Sequence, residues 1–132
     1  MKTMRPKAIG LVALLAAAVA GAGCNLEPSV PGQPGYEADV QPILEARCTR
    51  CHGYPMIANA FPGYRLDIYA CPTPADPTMC SMAAGDKVLA DRIKCRAEAS
   101  CGTQMPPKPA APLSPYQIDT IAKWAAGNPP AP

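Results

Sequence analysis

Cys48-Thr49-Arg50-Cys51-His52 decides how the rest of the chain is read. Two cysteines separated by two residues and followed at once by a histidine form the attachment motif of a c-type haem. The spacing has a chemical reason. Two thiols add across the two vinyl groups of one porphyrin, and two intervening residues let both sulfurs reach one edge of the ring. The adjoining His52 then brings its imidazole to the iron from the proximal side. His52 is the single histidine of the chain, so no other residue supplies that ligand. One covalent haem c per chain is the expected cofactor.

Rival readings of the motif have less behind them. A thioredoxin-like dithiol needs a βαβ setting, which the flanking sequence lacks. A zinc site needs a second ligand pair. The chain has no second histidine and no other Cys-x-x-Cys. A structural Cys48–Cys51 disulfide stays open.

Working outward, Tyr36-Glu-Ala-Asp-Val-Gln-Pro-Ile-Leu-Glu-Ala-Arg-Cys-Thr-Arg-Cys-His-Gly53 resembles the opening of a class I, single-haem cytochrome c domain. It is especially similar to the planctomycete-type group of large bacterial periplasmic proteins. Downstream, Tyr64-Arg-Leu-Asp-Ile-Tyr69 is similar to the family's Leu-Arg-Leu-Asp stretch. Gly85-Asp86 is similar to its Gly-Asp before a short helix, and Met105-Pro106-Pro107 to its Met-Pro-Pro. Residues 113–127 resemble its last helix, so the likeness covers residues 36–130. It implies an all-α, small cytochrome c fold: about three helices and long loops around one covalent haem. The N-terminal and C-terminal helices would cross near Val40 and Leu44. It also implies that Met105 is the sixth iron ligand. Cofactor binding would then rest on Cys48, Cys51, His52 and Met105, and iron ligation on His52 and Met105. The prolines after Met105 fix φ and hold the preceding residue extended, which limits the freedom its thioether has to lose. Four further cysteines, Cys71, Cys80, Cys95 and Cys101, depart from the family pattern.

The start of the chain reads as an address. Lys2, Arg5 and Lys7 precede a short apolar run from Ile9 to Ala22, the layout of a signal peptide. The run is short for a membrane span. Residues 18–20 and 20–22 each offer an Ala-x-Ala cleavage site. Gly21-Ala22-Gly23-Cys24 instead resembles a lipoprotein signal, apart from Gly21, where an aliphatic residue is usual. The lipoprotein reading is favoured because it evens the cysteine count. Of seven cysteines, Cys24 takes lipid and Cys48 and Cys51 take haem, which leaves four to pair in an oxidising compartment. Cys71 and Cys80 flank a Pro-rich loop that a bridge closes easily. Bridges 71–80 and 95–101 together are one of the three connectivities four cysteines allow. The layout expected is 1–23 signal peptide, 24–35 flexible Pro/Gly tether, and 36–132 haem domain. Localisation follows: the periplasm, or a periplasm-facing or outer-membrane lipoprotein, of a Gram-negative bacterium.

Formal charge is +2, from 12 Lys+Arg against 10 Asp+Glu, and loss of Lys2, Arg5 and Lys7 takes it to −1. Nothing in that balance suggests nucleic acid. The partners expected are redox proteins and, through lipid on Cys24, a membrane; the chain is expected to be a monomer. One Phe, one Trp and 18 prolines leave little material for a large core. Haem and disulfides compensate.

Residues 37–50 read as the first helix, with Val40, Ile43, Leu44 and Arg47 at helical spacing, Asp39 as cap and Pro42 in the first turn. Residues 53–84 read mostly as loop, broken by Gly and Pro. Residues 86–96 read as a helix capped by Asp86, its apolar stripe drawn through Val88, Leu89, Arg92 and Ile93. Arg92, Lys94 and Arg96 read as a solvated face in preference to a docking patch. Residues 115–126 give the clearest helix. Ser114 and Gln117 form a capping box around Pro115. Ile118, Ile121, Ala122 and Ala125 face inward beside Trp124, which reads as core. Gly127, Pro129 and Pro130 end the helix.

The resemblance implies an electron carrier, not an enzyme. Two axial ligands close the iron to substrate, and a thioether favours the ferrous state. Electrons would cross the haem edge near Cys48 and Cys51, with Arg47 and Arg50 as partner contacts. Among rival sixth ligands, Met56 is too near His52 to reach the opposite face, and Met79 and Met82 sit in the cysteine-flanked loop. The alternative is a haem peroxidase or ligand-binding haem sensor whose Met105 is displaceable, although no second histidine exists to act as distal acid–base. A third reading, a lipoprotein module whose haem serves only folding, gives no reason for Met-Pro-Pro.

Overall fold

The computed structural model describes residues 28–55, 63–74, 76–127 and 130–132. The signal segment, Cys24 and Met56 lie outside the described residues. The end of the tether is not free. Pro34 is buried, and a Cβ on Gly35 would sit 2.9 Å from the Pro132 carbonyl oxygen.

The first helical stretch comes in three pieces. A π turn, Tyr36–Val40, runs into α1, Gln41–Arg47. Cys48 interrupts the helix at φ −128°, ψ −41°, and α2, Thr49–His52, follows. Pro42 accounts for the wide opening turn. It lacks an N–H and closes no bond to the preceding turn. The turn ahead of it is wound with longer spacing, the Val40 N–H donating to the Gly35 carbonyl at 3.2 Å. Asp39 therefore lies inside the turn and does not cap it from outside. Its Oδ2 accepts the Gly35 N–H at 2.8 Å. Val40 and Leu44 are fully buried, as their spacing predicts.

The loop between Gly63 and Gly85 holds a feature the sequence did not suggest. Tyr64–Arg65 (β1) pairs in parallel with Met82–Ala83 (β2), so the fold is mostly helical with one short two-stranded sheet. Two residues per strand are too few to set up an alternating pattern. Cys71 and Cys80 are bridged across the loop, with Cα atoms 5.7 Å apart.

Helix α3 spans Lys87–Ala97. Asp86 stands at its N-cap with extended backbone but makes no side-chain cap bond. Leu89, Ala90, Ile93 and Ala97 form its buried face, whereas Val88 is 53% exposed, so the stripe read from sequence keeps Leu89 and Ile93 and loses Val88 and Arg92. Helix α4 spans Pro115–Ala125. Its capping box is complete: the Gln117 N–H donates to the Ser114 hydroxyl, and the Ser114 N–H donates to the Gln117 side-chain oxygen. Ile121, Trp124 and Ala125 are buried, and Ile118 is partly buried against the core.

One core joins these parts. Tyr36 and Trp124 rings lie 5.9 Å apart, which seats the opening turn on α4. The Lys87 ammonium donates to the Ala125 carbonyl at 2.9 Å, satisfying an open carbonyl at the end of α4 from the start of α3. The tail closes the structure: the Ala131 carbonyl accepts from Trp124 Nε1 at 2.7 Å and from the Tyr36 N–H at 3.2 Å.

Candidate functional site

Cys48 ends α1 and starts α2. Its N–H donates to the Leu44 carbonyl at 2.7 Å, and its carbonyl accepts the N–H groups of Cys51 and His52, both at 3.0 Å. One tight turn thus carries the whole motif. Gly53 lets the chain leave that turn at once, since a Cβ there would stand 2.6 Å from the Thr49 carbonyl oxygen. The His52 carbonyl then accepts the Leu66 N–H at 2.8 Å, and the Leu66 carbonyl accepts the Tyr36 hydroxyl at 2.9 Å. Leu66 is pinned at both ends beside the histidine.

These residues open onto a cavity of about 840 Å³. Cofactor pockets run to roughly 300–1,000 Å³. Cys48, Cys51, His52 and Met105 all line it, with Leu66, Leu89, Ile93, Leu113 and Ile121 supplying apolar wall. The four candidate cofactor-binding residues therefore converge on one space. Met79 and Met82 do not line it, and Met79 is 41% exposed. Cys95 and Cys101, the second bridged pair, are part of the wall.

Among the described residues, three arginines line the same cavity, Arg47, Arg92 and Arg96, and no acidic residue does. Arg92 is exposed and Arg96 half-buried, as a solvated face requires, and both also border the cavity. Arg47, expected at a partner contact, turns inward. Its Nη2 donates to the carbonyls of Ala111 and Pro112 at 2.6 and 2.7 Å, and its Nε is buried with no partner. Arg50 remains exposed. Bonds to carbonyls more than sixty residues away leave no trace in a sequence pattern.

Burial sets the protonation of the donors. The Cys48 thiol is pushed up to about 11, chiefly by desolvation, with Arg47 pulling the other way and Cys51 adding to the rise. Desolvation holds the His52 imidazole below its usual value, so it is neutral near pH 7 and keeps a lone pair for a metal. Cys48 and Cys51 are free thiols, which is not the bridged alternative. Among the described residues, no group of three or more His, Cys, Asp or Glu is placed to hold a metal ion by itself. No described helix is long and apolar enough to cross a membrane.

Compared with known proteins, the chain matches no family model, no curated protein and no solved structure.

Proposed function

We propose that this chain is a single-haem electron carrier of the class I cytochrome c kind, not an enzyme. Cys48 and Cys51 would be bonded to the porphyrin, with His52 and Met105 as the iron ligands. The observation that carries the reading is the convergence of those four residues on one mostly apolar cavity. The donor chemistry also fits the group: two thiols one turn apart, one neutral imidazole, and one thioether. A haem brings carboxylates, and the wall offers Arg47, with its unpartnered buried Nε, together with Arg92 and Arg96.

When bound, the haem supplies a one-electron iron couple. The residues of this chain do the rest. His52 and Met105 would hold the iron from the two sides and leave no place on it for substrate. Leu66, Leu89, Ile93, Leu113 and Ile121 keep water away, and together with the thioether this favours the less charged ferrous state. Arg50, exposed beside Cys51, is the partner contact that remains. Export, the lipid on Cys24 and a redox-protein partner belong to the same proposal.

Visible spectra of the oxidised and reduced protein, made with cytochrome c maturation machinery, test it. A covalent low-spin haem with the weak far-red band of Met-ligated ferric iron, lost in Met105→Ala, supports the carrier. A high-spin haem that readily takes cyanide or carbon monoxide transfers the assignment to a peroxidase or sensor. No covalent haem overturns both. Intact mass of the mature N-terminus separates lipidated Cys24 from a plain signal-peptidase product.

A further inference from the structure

Met105 is presented by a loop that doubles back on the last turn of α3, and three consecutive residues of that turn hold it. The Cys95 carbonyl accepts the Ser100 N–H at 2.8 Å, and its sulfur is bonded to Cys101. The Arg96 carbonyl accepts the Met105 N–H at 3.0 Å, while its guanidinium donates to the Thr103 carbonyl at 3.3 Å. The Ala97 carbonyl accepts from the Gln104 side-chain amide at 3.4 Å. Among these ties only Cys95–Cys101 is covalent. Of the others, the two side-chain bonds are long, at 3.3 and 3.4 Å, and the Arg96 one is solvent-exposed, so they add little hold on the loop.

The loop also carries, at Ala99, backbone that a free chain avoids. Ala99 has φ +58° and Gly102 has φ +118°. Left-handed backbone at a residue with a Cβ persists only where surroundings hold it. A Cβ on Gly102 would lie 2.5 Å from Arg96 Nη1, so the chain also passes very close to that guanidinium. The bridged cysteines line the same cavity as Met105, and Cys101 is exposed to solvent.

We propose that the Cys95–Cys101 disulfide is the positioning brace for the sixth ligand, and that its reduction by a dithiol unlatches Met105. The inference rests on the haem reading above. The exchange balances as follows. A thiolate of the dithiol attacks the exposed Cys101 sulfur, and Cys95 leaves as a thiolate that takes a proton. The second thiol of the reductant then closes on its own sulfur and releases Cys101 as a thiol. Two electrons and two protons pass to the chain, and the dithiol becomes a cyclic disulfide. Met105 ligation then depends on the thiol–disulfide state of a residue pair that is not itself a ligand.

The test uses the matured, haem-loaded protein. The C95S/C101S double variant is compared with wild type, with C71S/C80S as the control bridge and Met105→Ala as the open-site limit. Carbon monoxide binding to the ferrous protein is expected to speed up at least tenfold in C95S/C101S and in wild type pretreated with a dithiol. The far-red ferric band of C95S/C101S should weaken, and C71S/C80S should keep both wild-type values. If C95S/C101S fails to mature, the dithiol-treated wild type supplies the same comparison. A second readout needs no haem: hydrogen exchange at the Met105 amide of the apo chain should accelerate on reduction. Covalent haem with unchanged carbon monoxide kinetics and unchanged Met105 exchange after reduction overturns the brace and leaves the carrier standing. Absence of covalent haem in wild type overturns the carrier and the brace together.

Discussion

The Tyr36 hydroxyl donates to the Leu66 carbonyl at 2.9 Å, and through Leu66 the opening turn is tied to the His52 backbone. Tyr36 is 1% exposed, and its pKa is pushed up to about 12, chiefly by burial and further by the charges of Asp67 and Glu45. The unfolded chain releases this proton near pH 10, before the folded chain does. Stability from Tyr36 is thus full below about pH 10 and is lost as pH rises toward 12, by about 2–3 kcal/mol in total. Urea unfolding of wild type and Tyr36→Phe across this range measures it. The difference between the two should shrink as pH rises; a constant difference would falsify the assignment.

A second prediction concerns the methionines. Met105 lines the cavity and Met79 does not. Met105→Ala should abolish the far-red ferric band and admit cyanide. Met79→Ala should leave both as in wild type. Loss of the band in Met79→Ala alone would move the sixth ligand into the cysteine-flanked loop.

Arg47 holds the segment between the Met105 loop and α4 through the Ala111 and Pro112 carbonyls. Arg47→Ala should cost about 1–3 kcal/mol by urea unfolding, the range for breaking such charge-assisted bonds. Arg47→Lys should recover only part, because an ammonium lacks the planar fork. Full recovery by Lys would mean that charge alone matters there.

Ile93 and Val88 separate the two readings of α3. Ile93 is 9% exposed and lines the cavity; Val88 is 53% exposed. Ile93→Ala should cost about 2–5 kcal/mol and Val88→Ala no more than about 0.5 kcal/mol. Thermal melts of the two variants suffice. Equal costs would restore Val88 to the core.

How much of this was legible beforehand depended on where the signals lie. Helix α4 was readable to within a residue because Ser114, Pro115 and Gln117 act locally and in sequence order. The first helix was not readable as three pieces. Nothing in its apolar spacing reports that Pro42 widens the preceding turn or that Cys48 leaves helical geometry. The stripe of α3 keeps Leu89 and Ile93 but trades Val88 and Arg92 for Ala90 and Ala97, because small alanines give a weak apolar signal and only packing shows which flank of the face is covered. Cys48, Cys51 and His52 are legible from their chemistry and spacing, whereas Met105 is what the family resemblance implies. The arginines of the site's wall were not legible, because Arg47 and Arg96 act by donating to carbonyls in loops.

The tail described above has a topological consequence. Ala131 meets both Tyr36 and Trp124, Pro130 accepts the Tyr69 hydroxyl at 2.7 Å, and Gly35 abuts Pro132. Gly35 and Pro132 therefore sit side by side, and the backbone between them is a ring short of one link. Sewing Gly35 to Pro132 and opening the exposed segment near Thr73 would give a circular permutant with the same neighbours in a new order. A tug on the two ends would load those few tail bonds before it reached either α1 or α4.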